Sequence, residues 1–241
     1  MKIAEKICYL LLLSIIATSC YAPLAVSKLE PLPNQEKKWH HGKEIIKNEH
    51  SDISVQCMYY KSVEKNLIFE VEITNNTGKS ILIDPNKFYY TSYKKDTVIL
   101  NQFVHAKDPE LEILKIDKKL SKNHANEKNR VVNGILNTTL QATVQGIANS
   151  ATKEETEKKL DENEEDLEDD RKYYMERHAT LSDQRSYWET MLIRKTDLPS
   201  GYTMRGYVIF TRNHLANFYG LNLAIEKHTF EFDYKQILIQ P

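Results

Sequence analysis

Apolar residues alternate with polar ones towards both ends of this chain, and between those stretches the repeat lengthens to a helical one. Nothing else in the sequence restricts the fold as sharply. A period-two segment buries one face only as a strand, and a 3.6-period segment only as a helix. Ile53, Val55, Cys57 and Tyr59 alternate with Ser54, Gln56 and Met58, and Leu67, Phe69, Val71 and Ile73 repeat the pattern against Ile68, Glu70 and Glu72. Asn75-Asn76-Thr77-Gly78-Lys79 then supplies residues that tolerate a tight turn. Residues 80–84 resume extended structure, Pro85 stops it, and residues 88–93 and 97–103 are two further aromatic or β-branched runs. The first half is thus expected to hold about five antiparallel strands with short links.

The C-terminal part has the same texture. Residues 187–194 fit either a strand or a helix end. Pro199-Ser200-Gly201 is a turn, followed by strands over 202–212, 218–225 and 228–239, the last with Phe230, Phe232 and Tyr234 on one face. Neither end has enough strands for two covered sheets, so one sandwich drawing on both is the economical solution. In the middle, Val131, Ile135, Thr139 and Val144, with Val132, Leu136, Leu140 and Ile147 beside them, recur at helical spacing, weakened by Gly134 and Gly146.

Residues 151–170 hold eleven Asp or Glu and three Lys, a net charge of −8. Leu160, Leu167, Tyr174 and Leu181 fall seven apart, but the positions completing a coiled-coil seam are Glu157, Glu164, Arg171 and His178, which argues against a long oligomerising coiled coil. A helical hairpin of residues 126–149 and 152–179 fits, forming an arm of about 40 Å at 1.5 Å per residue. The alternative is partial disorder over 153–170, where like charges crowd. The expected fold is therefore mainly β, an antiparallel sandwich from residues 51–106 plus 187–241, interrupted by a helical insertion over 107–186.

The N-terminal twenty residues read as an address. Lys2 and Lys6 precede an apolar run from Ile7 to Ala17, too short for the roughly 20 residues of a membrane-spanning helix. Ala17-Thr18-Ser19-Cys20 resembles the end of a bacterial lipoprotein signal, in the relaxed form seen in lipoproteins of the Bacteroides group. That resemblance implies removal of residues 1–19, lipidation of Cys20, and a protein anchored in the bacterial cell envelope, at the outer membrane. A plain secretory signal cut after Ala22 and an uncleaved anchor are the alternatives. Residues 20–50, with Pro31, Pro33 and many charges, are expected to be a tether. Of the three cysteines, Cys57 is left alone in an alternating run and reads as a small buried hydrophobe.

Two segments carry a further resemblance. Residues 71–90, VEITNNTGKSILIDPNKFYY, are similar to the opening hairpin of small immunoglobulin-like domains found in bacterial envelope lipoproteins. Residues 194–210, RKTDLPSGYTMRGYVIF, resemble their later signature, with Leu198-Pro199-Ser200-Gly201 as the turn and Gly206 inside the strand that follows. The resemblance implies an immunoglobulin-like sandwich and says little about function, because most such proteins are uncharacterised.

Chemistry is sparse. His40-His41 with Glu44 is the most metal-like cluster by composition, but adjacent histidines do not make the fixed tetrahedral geometry of a zinc site. Hydrolase elbows, phosphate loops and dinucleotide fingerprints are missing from the sequence. Asp161, Glu164, Glu165 and Asp169 on one helix face read as a solvated surface rather than as carboxylates opposed across a cleft. Asp84, Asp96 and Asp108 lack the spacing of a calcium loop. The sequence thus offers no catalytic residue, metal or cofactor. A net charge of −1 gives no reason to expect nucleic acid.

The 14 tyrosines stand out, since an amphipathic ring suits recognition surfaces. Tyr60 and Tyr90 are the outward candidates if Tyr59 and Tyr89 face the core, and Tyr173 and Trp188 join them as a possible recognition surface. The expected function is non-enzymatic: a lipid-anchored envelope protein that contacts another envelope protein or serves a structural role. A glycan- or small-ligand-binding module is the alternative, and a hydrolase with a cryptic site a further one.

Overall fold

The computed structural model describes residues 26–94, 98–145 and 150–239. The signal segment and Cys20 lie outside these residues. Strands follow where alternation predicts them: β4 (Ile53–Val63), β5 (Asn66–Asn75), β6 (Ile81–Ile83), β7 (Tyr89–Lys94) and β8 (Val98–His105). After the helices come β9 (Thr196–Leu198), β10 (Thr203–Thr211), β11 (Phe218–Ile225) and β12 (His228–Ile239).

The expected tether behaves differently. Residues within 26–50 form β1 (Val26–Pro31), β2 (Lys37–His40) and β3 (Lys43–His50). β1 pairs with β12, and β2 and β3 form a hairpin beside β4. β1 and β2 are edge strands and β3 lies one strand in; Leu29 and Ile46 anchor them in the core, while Ile45 is half-buried and Trp39 exposed. Pro31 is tolerated because β1 is an edge strand.

Two five-stranded antiparallel sheets result. Sheet I has the order β10-β5-β4-β3-β2 and sheet II the order β1-β12-β11-β7-β8, with β6 and β9 as a separate short ladder. Their inner faces share one core. Phe69 of sheet I lies 5.2 Å from the Tyr234 ring of sheet II, and Phe210 lies 5.6 Å from Tyr90. Phe69, Phe210, Phe230 and Phe232 are fully buried, each contributing roughly 1.5–3 kcal/mol relative to exposure.

Tyr90 belongs to this core, which corrects the expectation that it faces outward. It is 1 % exposed, while Tyr89 is half-buried against Phe103. The phase of β7 is set by Phe88 and Tyr90 together. Burial is tolerated because the Tyr90 hydroxyl reaches the sandwich rim and donates to the Thr211 carbonyl at 2.7 Å.

The two segments that carry the family resemblance meet in space. Asn75 is fully buried at the end of β5. Its amide nitrogen donates to the carbonyls of Lys79 at 2.7 Å and Leu198 at 2.8 Å, and its Oδ1 accepts from the Thr77 N–H and hydroxyl. The Gly201 N–H donates to the Asn75 carbonyl at 2.6 Å, and the Ser200 hydroxyl accepts from the Gly78 N–H. Gly78 and Gly201 both hold positive φ, 77° and 80°, which the two facing turns require.

Between β8 and β9 run α1 (Pro109–Gln145) and α2 (Ser150–Thr190), so residues 187–190 end a helix. At 1.5 Å per residue α1 is roughly 55 Å long, longer than the hairpin expected from sequence because it begins at Pro109. The helices are antiparallel neighbours. Arg185 bridges Asp117 at 2.8 Å, Asn123 donates to the Tyr174 carbonyl, and Arg130 meets Asp170 at 2.8 Å. Further out Gly134 seats Leu167: a Cβ at position 134 would lie 2.4 Å from a Leu167 methyl. Leu181 is buried and Leu167 and Tyr174 half-buried along the seam, as the seven-residue stripe predicts.

Candidate functional site

The candidate surfaces lie on the outer face of sheet I and on the arm rising from it. Pairing registers place Gln56 beside Glu72 and Met58 beside Glu70, with Arg205 and Tyr207 next in line on β10. On the other flank Lys47 lies beside Gln56, and Ile45 faces Lys38. All of these side chains point away from the core, because the period of two sends Val55, Cys57, Val71 and Ile73 inward.

This face has two parts. At one end an apolar cluster of Ile68, Ile209 and Leu192, packed with Tyr60, Tyr187, Trp188 and Tyr207, joins the sheet to the last turn of α2. The Tyr60 and Tyr207 rings are 4.9 Å apart, and the Lys43 ammonium sits 3.9 Å from the Tyr60 ring centroid, a cation–π contact. Burial, then the neighbouring Tyr60, pushes the Tyr207 phenol up to about 12, so it stays neutral at physiological pH. Arg194 clamps the foot of α1, donating to both Glu110 oxygens at 2.6 and 2.9 Å.

At the other end the face is open. A groove of about 440 Å³ runs across the strands, floored by Ile45 and Met58. Lys38 and Lys47 stand on the β2–β3 side, and Glu70 and Glu72 on the β5 side. Arg205 is committed to Glu70 through an ion pair, and Gln56 donates to one oxygen of Glu72 at 2.9 Å. Cys57 lies beneath, fully buried; burial holds its thiol up at about 12, so it is no nucleophile. Among the described residues no three His, Cys, Asp or Glu side chains converge into a metal site.

The arm contributes a third surface. Val132, Ile135, Leu136 and Leu140 are all more than half exposed. By helical geometry they lie on the side of α1 opposite Gly134 and hence opposite α2. In the sequence they belong to an uncharged run, residues 131–152, whereas residues 153–170 of α2 are strongly acidic.

Of the residues singled out from sequence, the structure brings Tyr60 and Trp188 together in the cluster under the arm, both partly buried. Tyr173 is far along α2 and exposed, its hydroxyl accepting from Arg177 at 2.7 Å. Tyr90 is in the core, and Cys20 lies outside the described residues. The groove residues went unselected because alternating Gln, Met, Glu and Lys read as an ordinary solvated face. The only signal was Met58, an apolar side chain on the polar side of β4. No helix among the described residues is long and apolar enough to cross a membrane. Comparison with protein-family models, curated proteins and solved structures finds no match for the chain.

Proposed function

We propose that this chain is a non-enzymatic, lipid-anchored protein of the bacterial envelope that uses its helical arm to dock another envelope protein. In this reading Cys20 carries the lipid at the outer membrane, and the sheets are a rigid platform. The platform is of immunoglobulin type. The order β4-β5-β10 opposite β7-β11-β12 follows the A-B-E and C-F-G strands of that fold, and the Asn75 junction ties its early and late turns.

The observation that carries the interaction role is the exposed stripe of Val132, Ile135, Leu136 and Leu140. Four large apolar side chains on one helix face, in an uncharged stretch, form the kind of anchor row that helix-in-groove recognition uses. The partner chemistry follows from α2. Its acidic residues 151–170 disfavour an anionic bilayer surface and suit a protein with an apolar groove and a basic or neutral rim.

A photo-crosslinking residue at position 140 tests this in cells, with the same probe at exposed Tyr202 as control. The expected result is one discrete adduct from position 140, lost when Leu136→Glu is added, and none from position 202. Diffuse labelling at both positions, or an adduct indifferent to Leu136→Glu, refutes the docking role. Fatty-acid labelling abolished by Cys20→Ala tests the anchor separately.

A further inference from the structure

We propose that the groove on the outer face of sheet I binds a short zwitterionic peptide of about three residues, with its chain across the strands. The argument starts from the charges on its two sides. Lys38 and Lys47 stand on β2 and β3, with Glu36 beside them and Glu49 paired to Lys47, while the β5 side presents Glu70 and Glu72.

Internal pairing does not neutralise this arrangement. Arg205 takes up Glu70, yet Glu72 receives only the Gln56 amide on one oxygen among the described residues. Lys47 reaches Glu49, but both side chains are well exposed, 43 % and 60 %, and such a surface pair is easily given up. A ligand carboxylate therefore has two amines to meet at one end. A ligand ammonium has the Glu72 carboxylate at the other.

Distance selects the ligand's length. Adjacent strands lie about 4.7–4.9 Å apart, so β3 and β5 are separated by roughly 10 Å. An extended chain advances about 3.3–3.6 Å per residue, so three residues carry a free amino group and a free carboxylate to the two sides. The floor selects the middle. Ile45 and Met58 present apolar surface between the charged flanks, matching an apolar central side chain. The volume of about 440 Å³ falls in the range of small-ligand pockets. A neutral saccharide would fill the space but leave Glu72 and Lys47 desolvated without counter-charge, at a cost.

The test is a titration of the isotope-labelled full chain with the tripeptide Ala-Leu-Ala, followed by amide and side-chain chemical shifts. Saturable shifts are expected at Ile45, Gln56, Met58 and Arg205. N-acetylation and C-amidation of the peptide should each weaken binding about tenfold, the loss of one charge-assisted contact at a solvated rim. Glu72→Gln should abolish only the penalty for acetylation. The double variant Lys38→Ala/Lys47→Ala should abolish only the penalty for amidation. A folding fault would instead weaken every peptide alike, and that outcome overturns the assignment. So do equal affinities of the wild type for all peptide forms, shifts confined to other surfaces, no saturable binding at millimolar peptide, or tighter binding of a neutral trisaccharide at these residues.

Discussion

Asn75→Ala should be among the most damaging single substitutions outside the aromatic core, and its cost can be worked from four hydrogen bonds. The Asn75 side chain uses its full capacity, two donors and two acceptors, in a site with no exposed surface. Without the Asn75 oxygen, the Thr77 hydroxyl is freed to donate to the Lys79 carbonyl, 3.1 Å away, and the Thr77 N–H can reach solvent. The buried Leu198 carbonyl loses its side-chain donor. One stranded buried carbonyl costs about 1–3 kcal/mol, and the remaining lost bonds about 0.5–1.5 kcal/mol net. The expected destabilisation is thus about 1.5–4.5 kcal/mol, against a typical total of about 5–15 kcal/mol.

Asn75→Asp sharpens the test. The new carboxylate points an oxygen at the two carbonyls that now receive an N–H, so its folded-state pKa must rise above the ordinary value of about 3.9. The sign follows from linkage. The penalty is absent below the unfolded pKa, grows as pH rises from there towards the folded one, and levels off above it. Urea unfolding followed by Trp188 fluorescence at pH 7 and pH 3.5 reads both effects. A loss below about 0.5 kcal/mol for Asn75→Ala, the lower edge of a single net bond, would refute the reasoning. So would an Asn75→Asp penalty that does not change with pH.

Two other outcomes follow from particular contacts. Gly134→Ala gains about 1 kcal/mol of helix propensity but drives a methyl into Leu167, and overpacking of this kind costs about 1–3 kcal/mol. The arm should melt earlier by circular dichroism and recover when Leu167→Ala is added; additive effects of the two changes would show that the helices do not cross there. Asp233, half-buried, has its carboxyl pushed up by burial and then by Glu231, so its ionisation opposes folding. Asp233→Asn should therefore raise stability at pH 7, with the gain vanishing as pH falls below the unfolded value of about 3.9, and a gain that persists at pH 3 would contradict this.

Much of the fold is legible because the core is built from strands with one wet face. β11 buries every second residue, and β4, β5 and β12 do so over residues 53–57, 69–75 and 230–236, so their alternation survives in the sequence. β1 and β2 do not show because they are edge strands, all four residues of β2 being exposed, and β3 does not show because Ile46 is its one buried residue. The phase of β7 is illegible for a different reason: Tyr89 and Tyr90 are the same side chain, and only the packing of Phe88 decides between them. The arm's seam is readable from Leu167, Tyr174 and Leu181, whereas its start at Pro109 is masked by the charged run that follows. The groove is least visible of all. It draws a few residues from each of five strands, and most of them, taken in their own strand, are unremarkable polar positions.

The outer face of sheet I links the arm to the groove and decides how the arm can be studied. Tyr60 and Met58 belong to β4, and Tyr207 and Arg205 to β10, so the cluster under α2 and the groove are consecutive rows of the same strands. Ile68 and Ile209, each 5 % exposed, point away from the main core and stay dry under Leu192, Tyr187 and Trp188. The end of α2 is thus part of the sandwich's hydrophobic cover. Deleting the insertion whole would bare this cluster and promote non-specific association, so retention or loss of a partner by such a variant would confound docking with exposure. Substitutions at Leu136 and Leu140 avoid the problem. Both side chains are already in water, and changing them leaves the foot of the arm, the Arg194 clamp and the sheet beneath it as they are.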